Sequence, residues 1–181
     1  MRLFLAIPFP ASLLPLIQGL QHDNSQNGIR WIPDANLHIT LAFIGEADEQ
    51  QLNIIIDKVE KVIANSQSFS LIPQSFFLKK SNAGFMIWLT FASCFLYRNL
   101  AIQIRKALKI KENREPLPHV TLARIKGKLA IDRSLIRLQE LPDKRGFQVF
   151  HVELWHSITG PTGSVYRCIK KFSLKMKPDL P

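Results

Sequence analysis

The sequence predicts an α+β fold of two pseudo-symmetric lobes, each built on largely antiparallel sheet with helices outside, and a central cleft between them. Two observations carry this prediction. Short apolar segments and longer helical ones follow each other without the strict strand–helix alternation of a parallel, doubly wound sheet. A seven-residue segment also occurs twice, starting at positions 38 and 119, nearly half the chain apart. Such a repeat indicates two lobes related by an approximate two-fold axis.

Helices are predicted where apolar residues recur at three- and four-residue spacing, in segments 10–22, 48–64, 93–110 and 132–140. Segment 48–64 has the strongest helical pattern and begins with acids, and Ser93 is the expected N-cap of the next helix. Strands are predicted where short apolar or alternating runs end at proline or glycine, in segments 2–8, 37–44, 69–78, 85–91, 119–125, 147–158 and 164–174. With no long linker between these elements, residues 1–181 are expected to form a single bilobal domain.

Composition narrows the class of protein. The net charge of +10 indicates an anionic partner, with a well-solvated lysine-rich surface as the alternative. Cys94 and Cys168 form no C-x-x-C pair and are expected to be reduced, buried thiols. The apolar start is interrupted at Pro8, and no apolar run approaches the roughly 20 residues that a membrane span needs. We therefore expect a cytoplasmic protein without a membrane partner.

The repeated segment places four polar side chains. Residues 38–44 read HITLAFI and residues 119–125 read HVTLARI. Because alternate residues of a strand share a face, His38 lies on the same face as Thr40, and His119 on the same face as Thr121. If the two polar faces oppose each other across the lobes, two imidazoles and two hydroxyls line one cleft.

This set of groups suits phosphodiester chemistry. The reaction needs a base to activate water, an acid to protonate the leaving oxygen, and donors for the charged phosphoryl oxygens. Histidine can serve in both proton-transfer roles near neutral pH. A single His-x-Thr is more often a satisfied histidine beside a structural threonine, but two copies in matched contexts favour catalysis.

Three further residues are candidates for substrate binding. Arg124 and Phe43 each follow a motif histidine by five residues, so on an unbroken strand both face away from the cleft. Arg124 reaches the phosphate only if the strand bends or the side chain wraps round, and Phe43 is as readily a core residue as a stacking one. Trp31 either stacks on a base or packs at a strand edge. A basic stretch that would steer RNA follows the second motif, at Lys126, Lys128, Arg133 and Arg137.

The remaining histidines predict no metal site. His22 is expected to be solvated, and His151 and His156 lie five residues apart, on opposite faces of one strand. Neither has a second ligand at metal spacing. No cofactor is expected, because no Walker loop, nucleophile elbow or G-x-G-x-x-G is present. Gly45, which follows the first motif, is expected to form a turn.

The two motif segments resemble a known family. Residues 37–45 (LHITLAFIG) and 118–124 (PHVTLAR) resemble the paired His-x-Thr motifs of the two-histidine (2H) phosphoesterase superfamily. Within it, the chain is most similar to the RNA 2′,3′-cyclic phosphodiesterases, also called 2′-5′ RNA ligases. Similarity to that branch extends to the start at residues 2–8, to residues 30–31, and to the ending at 154–157, 163–166 and 172–174.

The resemblance implies metal-independent opening of an RNA 2′,3′-cyclic phosphate to a 2′-phosphate, and reversible 2′-5′ ligation in some members. It implies His38 as proton donor and His119 as proton acceptor, although the residues themselves leave these roles open. Thr40, Thr121 and Arg124 would hold the phosphate. The implied partner is RNA, bound by a monomer. A 2H enzyme for a small nucleotide, such as a cyclic phosphate of ADP-ribose, and a non-catalytic basic RNA-binding protein are the alternatives.

Overall fold

The computed structural model describes residues 1–25, 28–126, 138, 141, 145–160 and 163–176. Of the predicted helix at 132–140, only Leu138 is described. The side chains of the basic stretch, Lys126, Lys128, Arg133 and Arg137, lie outside the description.

Three α-helices and ten strands follow one another in this part of the chain. The helices are α1 (Leu14–Asp23), α2 (Glu49–Ile63) and α3 (Phe95–Ala107). The strands are β1 (Arg2–Pro8), β2 (Ile29–Trp31), β3 (His38–Glu46), β4 (Phe69–Leu71), β5 (Pro73–Ser81), β6 (Gly84–Phe91), β7 (His119–Lys126), β8 (Phe147–Val149), β9 (His151–Gly160) and β10 (Gly163–Ser173). This order, without regular strand–helix alternation, confirms the predicted α+β class.

Helix boundaries follow local chemistry. Asp48 caps α2 in a reciprocal capping box with Gln51, the strongest N-terminal signal in the sequence. The first predicted helix begins with a 3₁₀ turn at Ala11–Leu13 before α1 starts. The prediction of Ser93 as an N-cap is wrong, because Cys94 occupies that position and no side chain caps α3.

Two predicted strands are each divided in the structure. The segment predicted at 69–78 splits into β4 and β5, and the segment predicted at 147–158 splits into β8 and β9. The cause is a separate two-stranded sheet, in which β4 pairs with β8. The chain changes sheet at Ile72 and at Phe150, and both side chains are exposed there.

The main sheet joins two halves through a narrow contact. Its strand order is β10-β9-β1-β3-β7-β6-β5, with β2 also on β7, and every adjacent pair is antiparallel. Strands β3 and β7 meet only at the pair Ile39 and Val120. The first lobe contains β10, β9, β1 and β3, and the second contains β7, β6, β5 and β2.

The helices cover one face of this sheet and leave the motif face open. Val59 on α2 and Ile104 on α3 are buried in the main hydrophobic core, together with Ile39, Leu41, Val120 and Leu122 of the motif strands. The alternate residues of these strands are therefore turned away from the core. This packing is why each motif presents its histidine and threonine on the opposite face.

Two structural findings concern features that were considered from composition, the helices and the cysteines. None of the helices described is long and apolar enough to cross a membrane. Both cysteines are free, as expected, but Cys168 is exposed and Cys94 only half-buried. The prediction of buried thiols is therefore wrong for Cys168, which lies on β10 at the edge of the sheet, where few neighbours cover it.

Candidate functional site

The two motifs meet where the lobes join. Ile39 pairs with Val120 in an antiparallel register, so the motif strands are related by a local two-fold at that pair. His38, Thr40, His119 and Thr121 consequently line the same cleft, with a volume of about 380 Å³. The structure thus brings together the four residues that strand alternation predicted.

A β-bulge in each motif strand adds a fifth and a sixth residue. Leu41 is skipped in the pairing of β3 with β1, and Leu122 is skipped in the pairing of β7 with β6. An extra residue shifts the alternation by one position, so Phe43 and Arg124 turn to the histidine face and line the cleft. Phe43 is 58% exposed, which contradicts its interpretation as a core residue.

Helix α3 supports the first bulge from the core side. Tyr97 is buried on that helix and donates its hydroxyl proton to the backbone carbonyl of Thr40, with 2.9 Å between the oxygens. A buried hydrogen bond of this kind holds the β3 backbone at the position where its register changes.

Both histidines are held in the same tautomer. Nδ1 of His38 lies 2.7 Å from the carbonyl oxygen of Asn36, and Nδ1 of His119 lies 2.8 Å from that of Leu117. A carbonyl only accepts hydrogen bonds, so each Nδ1 carries a proton and donates it. Each Nε2 is left as the titrating nitrogen, able to accept or deliver a proton in the cleft.

Aromatic side chains fix the two imidazole planes differently. His38 lies among three rings at centroid distances of 5.0 to 5.3 Å: Phe4, Trp155 and Tyr166. His119 stacks on Trp88, with ring centroids 3.9 Å apart, and Nζ of Lys79 lies 5.6 Å from the centroid of Trp88. The rings around His38 form a small apolar cluster on the cleft side of the sheet, separate from the main core.

Burial lowers the pKa of both histidines below the ordinary value. For His38, the hydrogen bond to Asn36 opposes this effect, whereas the charge on His119 lowers the pKa further. For His119, the hydrogen bond to Leu117 opposes the effect of burial, and the charge on Lys79 lowers the pKa further. The free protein therefore favours neutral imidazoles, ready to be charged by an anionic ligand.

The first half of the chain matches a known family. Residues 5–87, which contain the first motif, match the sequence model of a family described as LigT like Phosphoesterase. This match confirms the resemblance of the chain to the LigT-like and two-histidine phosphoesterases.

Similar proteins match nearly the whole length of the chain. A Methanocaldococcus jannaschii protein named RNA 2′,3′-cyclic phosphodiesterase is 28% identical over 185 residues, covering 95% of this chain and 100% of the relative. A crystal structure from Thermus thermophilus shares the fold with a TM-score of 0.81 at 23% identity, covering 98% of this chain and 100% of that one. Escherichia coli LigT complexed with 3′-AMP has a TM-score of 0.75 at 20% identity, covering 96% of each chain.

The cleft also contains polar residues that the two motifs do not reveal. They are Arg2, Asn36, Ser157, Ser164 and Tyr166. Ser157 and Tyr166 belong to the ending that is similar to the family, and they pair across β9 and β10. Asn36 donates its side-chain amide to the carbonyl of Ser164 at 2.8 Å, which ties the turn before His38 to the far strand.

The structure gives Trp31 the packing position, one of the two that the sequence left open, and places Gly45 differently from expectation. Trp31 is half-buried and packs against the main core, so it is not among the residues that line the cleft, whereas its neighbour Ile32 is. Gly45 does not form a turn after the first motif. It continues β3 with a φ of +96°, where a second bulge falls at Ile44, and it lines the cleft.

The remaining histidines lie outside the cleft. The side chain of His22 is 90% exposed and lies 3.4 Å from a carboxylate oxygen of Asp23, and His151 lies 3.4 Å from Glu153. Within the described ranges, no group of three or more histidine, cysteine, aspartate or glutamate residues is arranged to hold a metal ion.

Trp88 is expected to control the orientation of His119. In Trp88→Leu the stacked ring is lost, the imidazole can rotate, and kcat should fall about 10-fold or more with a smaller change in KM. Trp88→Phe is the matched control, since it keeps a stacking ring and removes an Nε1 that is buried without a partner among the described residues. Steady-state kinetics of both variants test this, and equal kcat for Trp88→Leu and wild type in a folded protein would refute it.

The pH dependence follows from the lowered pKa values. If one histidine must be protonated and the other neutral, kcat/KM of the free enzyme should be bell-shaped, with its maximum on the acid side of pH 6.5, roughly the ordinary histidine pKa. It should fall at higher pH, as the proton donor becomes neutral. Bound phosphate stabilises imidazolium, so the kcat profile should lie at higher pH than the kcat/KM profile. A flat kcat/KM from about pH 5 to 9 would contradict paired histidines.

Proposed function

We propose that this chain hydrolyses 2′,3′-cyclic phosphates at RNA ends to 2′-phosphates. The observation that carries the proposal is a cleft where two imidazoles, each with Nε2 available, lie with two threonine hydroxyls and a guanidinium. Among the described residues that line it, none is an aspartate or a glutamate. Such a cleft attracts an anion and can both take and deliver a proton. The names of the relatives support RNA 2′,3′-cyclic phosphate as the substrate.

His38 serves as proton donor and His119 as proton acceptor in this proposal. Nε2 of His119 removes a proton from water, whose oxygen attacks phosphorus, while Nε2 of His38 protonates the departing 3′ oxygen. The product keeps the phosphate on the 2′ oxygen, and the two histidines exchange protonation states. Lys79 disfavours a charged His119 before reaction. The rings around His38 can accommodate imidazolium through cation–π contacts.

The phosphoryl group gains charge on its non-bridging oxygens during attack. Thr40 and Thr121 supply hydroxyl donors on either side of the motif junction, and Arg124 supplies a fork of N–H donors. These donors, the acid and the base all come from side chains, so the proposed reaction runs without a metal ion. If the 5′ hydroxyl of a second RNA replaces water, the same steps form a 2′-5′ linkage.

A small cyclic nucleotide is the second candidate substrate. The cleft volume of about 380 Å³ is in the lower part of the range for small-molecule sites, which favours recognition of one nucleotide. A cyclic phosphate of ADP-ribose would present the same phosphodiester to His38 and His119.

Turnover assays in the presence of chelator test the proposal. The substrates are an oligoribonucleotide ending in a 2′,3′-cyclic phosphate, a nucleoside 2′,3′-cyclic phosphate and an ADP-ribose cyclic phosphate. We expect the highest kcat/KM for the RNA end. A higher kcat/KM for the ADP-ribose derivative would favour the second candidate. RNA binding without turnover of any substrate would favour the non-catalytic alternative.

A further inference from the structure

Among the described residues that line the cleft, there is one more cation than the scissile phosphate requires. Two of these residues are arginines from different lobes, Arg124 from β7 and Arg2 from β1. The local two-fold that relates the motifs places Phe43 in the first lobe where the second has Arg124. Arg2 is therefore the guanidinium that the first lobe contributes, and the proposed chemistry gives it no role.

Arg2 lies on the catalytic face, some distance along the cleft from the histidines. Arg2, Phe4 and Ala6 are alternate residues of β1 and share a face, and Ala6 pairs with Thr40. At roughly 3.3–3.4 Å per residue, the backbone of Arg2 is about 13 Å from that pair. Between them, the rings of Phe4 and Phe43 lie 6.1 Å apart. Along the cleft, the two histidines are therefore followed by the aromatic rings and then by the guanidinium of Arg2.

The surroundings of Arg2 leave its charge available. Its side chain is exposed, and within the described part of the chain no carboxylate is within ion-pair distance of it. Glu46 lies opposite Arg2 in the strand register, but its carboxylate contacts the N-terminal ammonium at 3.5 Å. Ser157 pairs with Arg2 from the other side and adds a hydroxyl, while Gly45 leaves open space where a side chain would stand.

We propose that Arg2 forms a second anion subsite, which binds the 5′-phosphoryl group of the nucleotide whose cyclic phosphate lies at the histidines. This inference rests on the proposed function. The 5′-phosphoryl group is the other anion of a terminal nucleotide, separated from the cyclic phosphate by the ribose. Phe43 lies between the two cationic positions, where a sugar or base would contact it. The enzyme would thus distinguish nucleotides by their 5′ end.

A 5′-phosphoryl group can come from two sources, the phosphodiester of an RNA chain or the terminal phosphate of a small nucleotide. Both present anionic oxygens to a guanidinium, which binds them through charge-assisted hydrogen bonds. Substrates that carry one or the other separate these sources.

The test compares a nucleoside 2′,3′-cyclic phosphate, its 5′-phosphorylated form and a dinucleotide ending in the same cyclic phosphate. For wild type we expect kcat/KM to be about 10- to 100-fold higher for the two substrates with a 5′-phosphoryl group. In Arg2→Gln this ratio should fall to near 1. The matched control is Arg167→Gln, which removes the same charge from β10 beside Tyr166, where alternation points the side chain away from the cleft. It should keep the wild-type ratio.

The outcomes separate this inference from the proposed function. Turnover in wild type with equal kcat/KM for substrates with and without a 5′-phosphoryl group would overturn the subsite. So would a kcat/KM ratio in Arg2→Gln that equals the wild-type ratio. Either result would leave the proposed phosphodiesterase activity standing. If no substrate turns over, equilibrium binding of a nucleoside 2′-phosphate and a nucleoside 2′,5′-bisphosphate to the full chain decides the question. Preference for the bisphosphate that is lost in Arg2→Gln supports the subsite, and equal or absent binding overturns it.

Discussion

Replacing either motif histidine should reduce turnover of an RNA cyclic phosphate by about 10²–10⁴-fold, the usual contribution of one general acid or base. In His38→Gln the 3′ oxygen would leave without a proton, and in His119→Gln water would attack without a base. Glutamine keeps a polar side chain near the backbone carbonyls of Asn36 and Leu117. In wild type these carbonyls accept hydrogen bonds from Nδ1 of the two histidines. Each variant should therefore keep its fold, as measured by circular dichroism and thermal unfolding.

The control for this experiment is His156→Gln. His156 lies on β9 next to Ser157, and alternation along that strand turns the two side chains to opposite faces. The double variant of His38 and His119 should lose less activity than the two single losses multiplied together. Two groups that act in one step have non-additive effects on the rate. Wild-type rates in either folded single variant would exclude the acid–base mechanism.

Removing Arg124 should have the next largest effect. Its guanidinium lines the cleft and contacts the sulfur of Met86 at 3.5 Å, and in the described ranges no carboxylate neutralises it. If it holds the non-bridging oxygens as charge develops, Arg124→Ala should lower kcat by about 10²–10³-fold, as for other donors to a developing oxyanion. Single-turnover measurements at saturating substrate would report this loss directly.

Arg124→Lys separates charge from geometry. Lysine restores the positive charge without the planar fork that can bind two oxygens, so we expect only partial recovery of kcat. Full recovery would show that Arg124 acts as a point charge. An unchanged kcat in Arg124→Ala would show that the bulge brings the side chain to the cleft without a part in the reaction.

Strand alternation was sufficient to predict the four central residues. It depends only on neighbours along the chain, and the core burial of Ile39 and Val120 enforces it. The duplication at half length similarly predicted that the two copies face one cleft, which the pairing of β3 with β7 confirms.

Positions that depend on pairing between distant strands were not predictable in this way. The bulges at Leu41 and Leu122 arise from register with β1 and β6, and they alone turn Phe43 and Arg124 to the histidine face. The sequence left Trp31 open between stacking and packing for a similar reason, since the three-residue strand β2 is positioned by its pairing with β7. The role inferred for Arg2 needs the register of β1 as well.

Phosphorus NMR of the reaction product tests the central claim most directly. An oligoribonucleotide ending in a 2′,3′-cyclic phosphate is incubated in chelator with wild type, His38→Gln or His119→Gln at a pH of about 6.5, near the ordinary histidine pKa. We expect wild type to convert the cyclic phosphate to a 2′-phosphate alone, and both variants to leave it intact over the same time. A 3′-phosphate product or a mixture of both isomers would contradict the departure of the 3′ oxygen, and the same conversion by either variant would contradict two-histidine catalysis in this cleft.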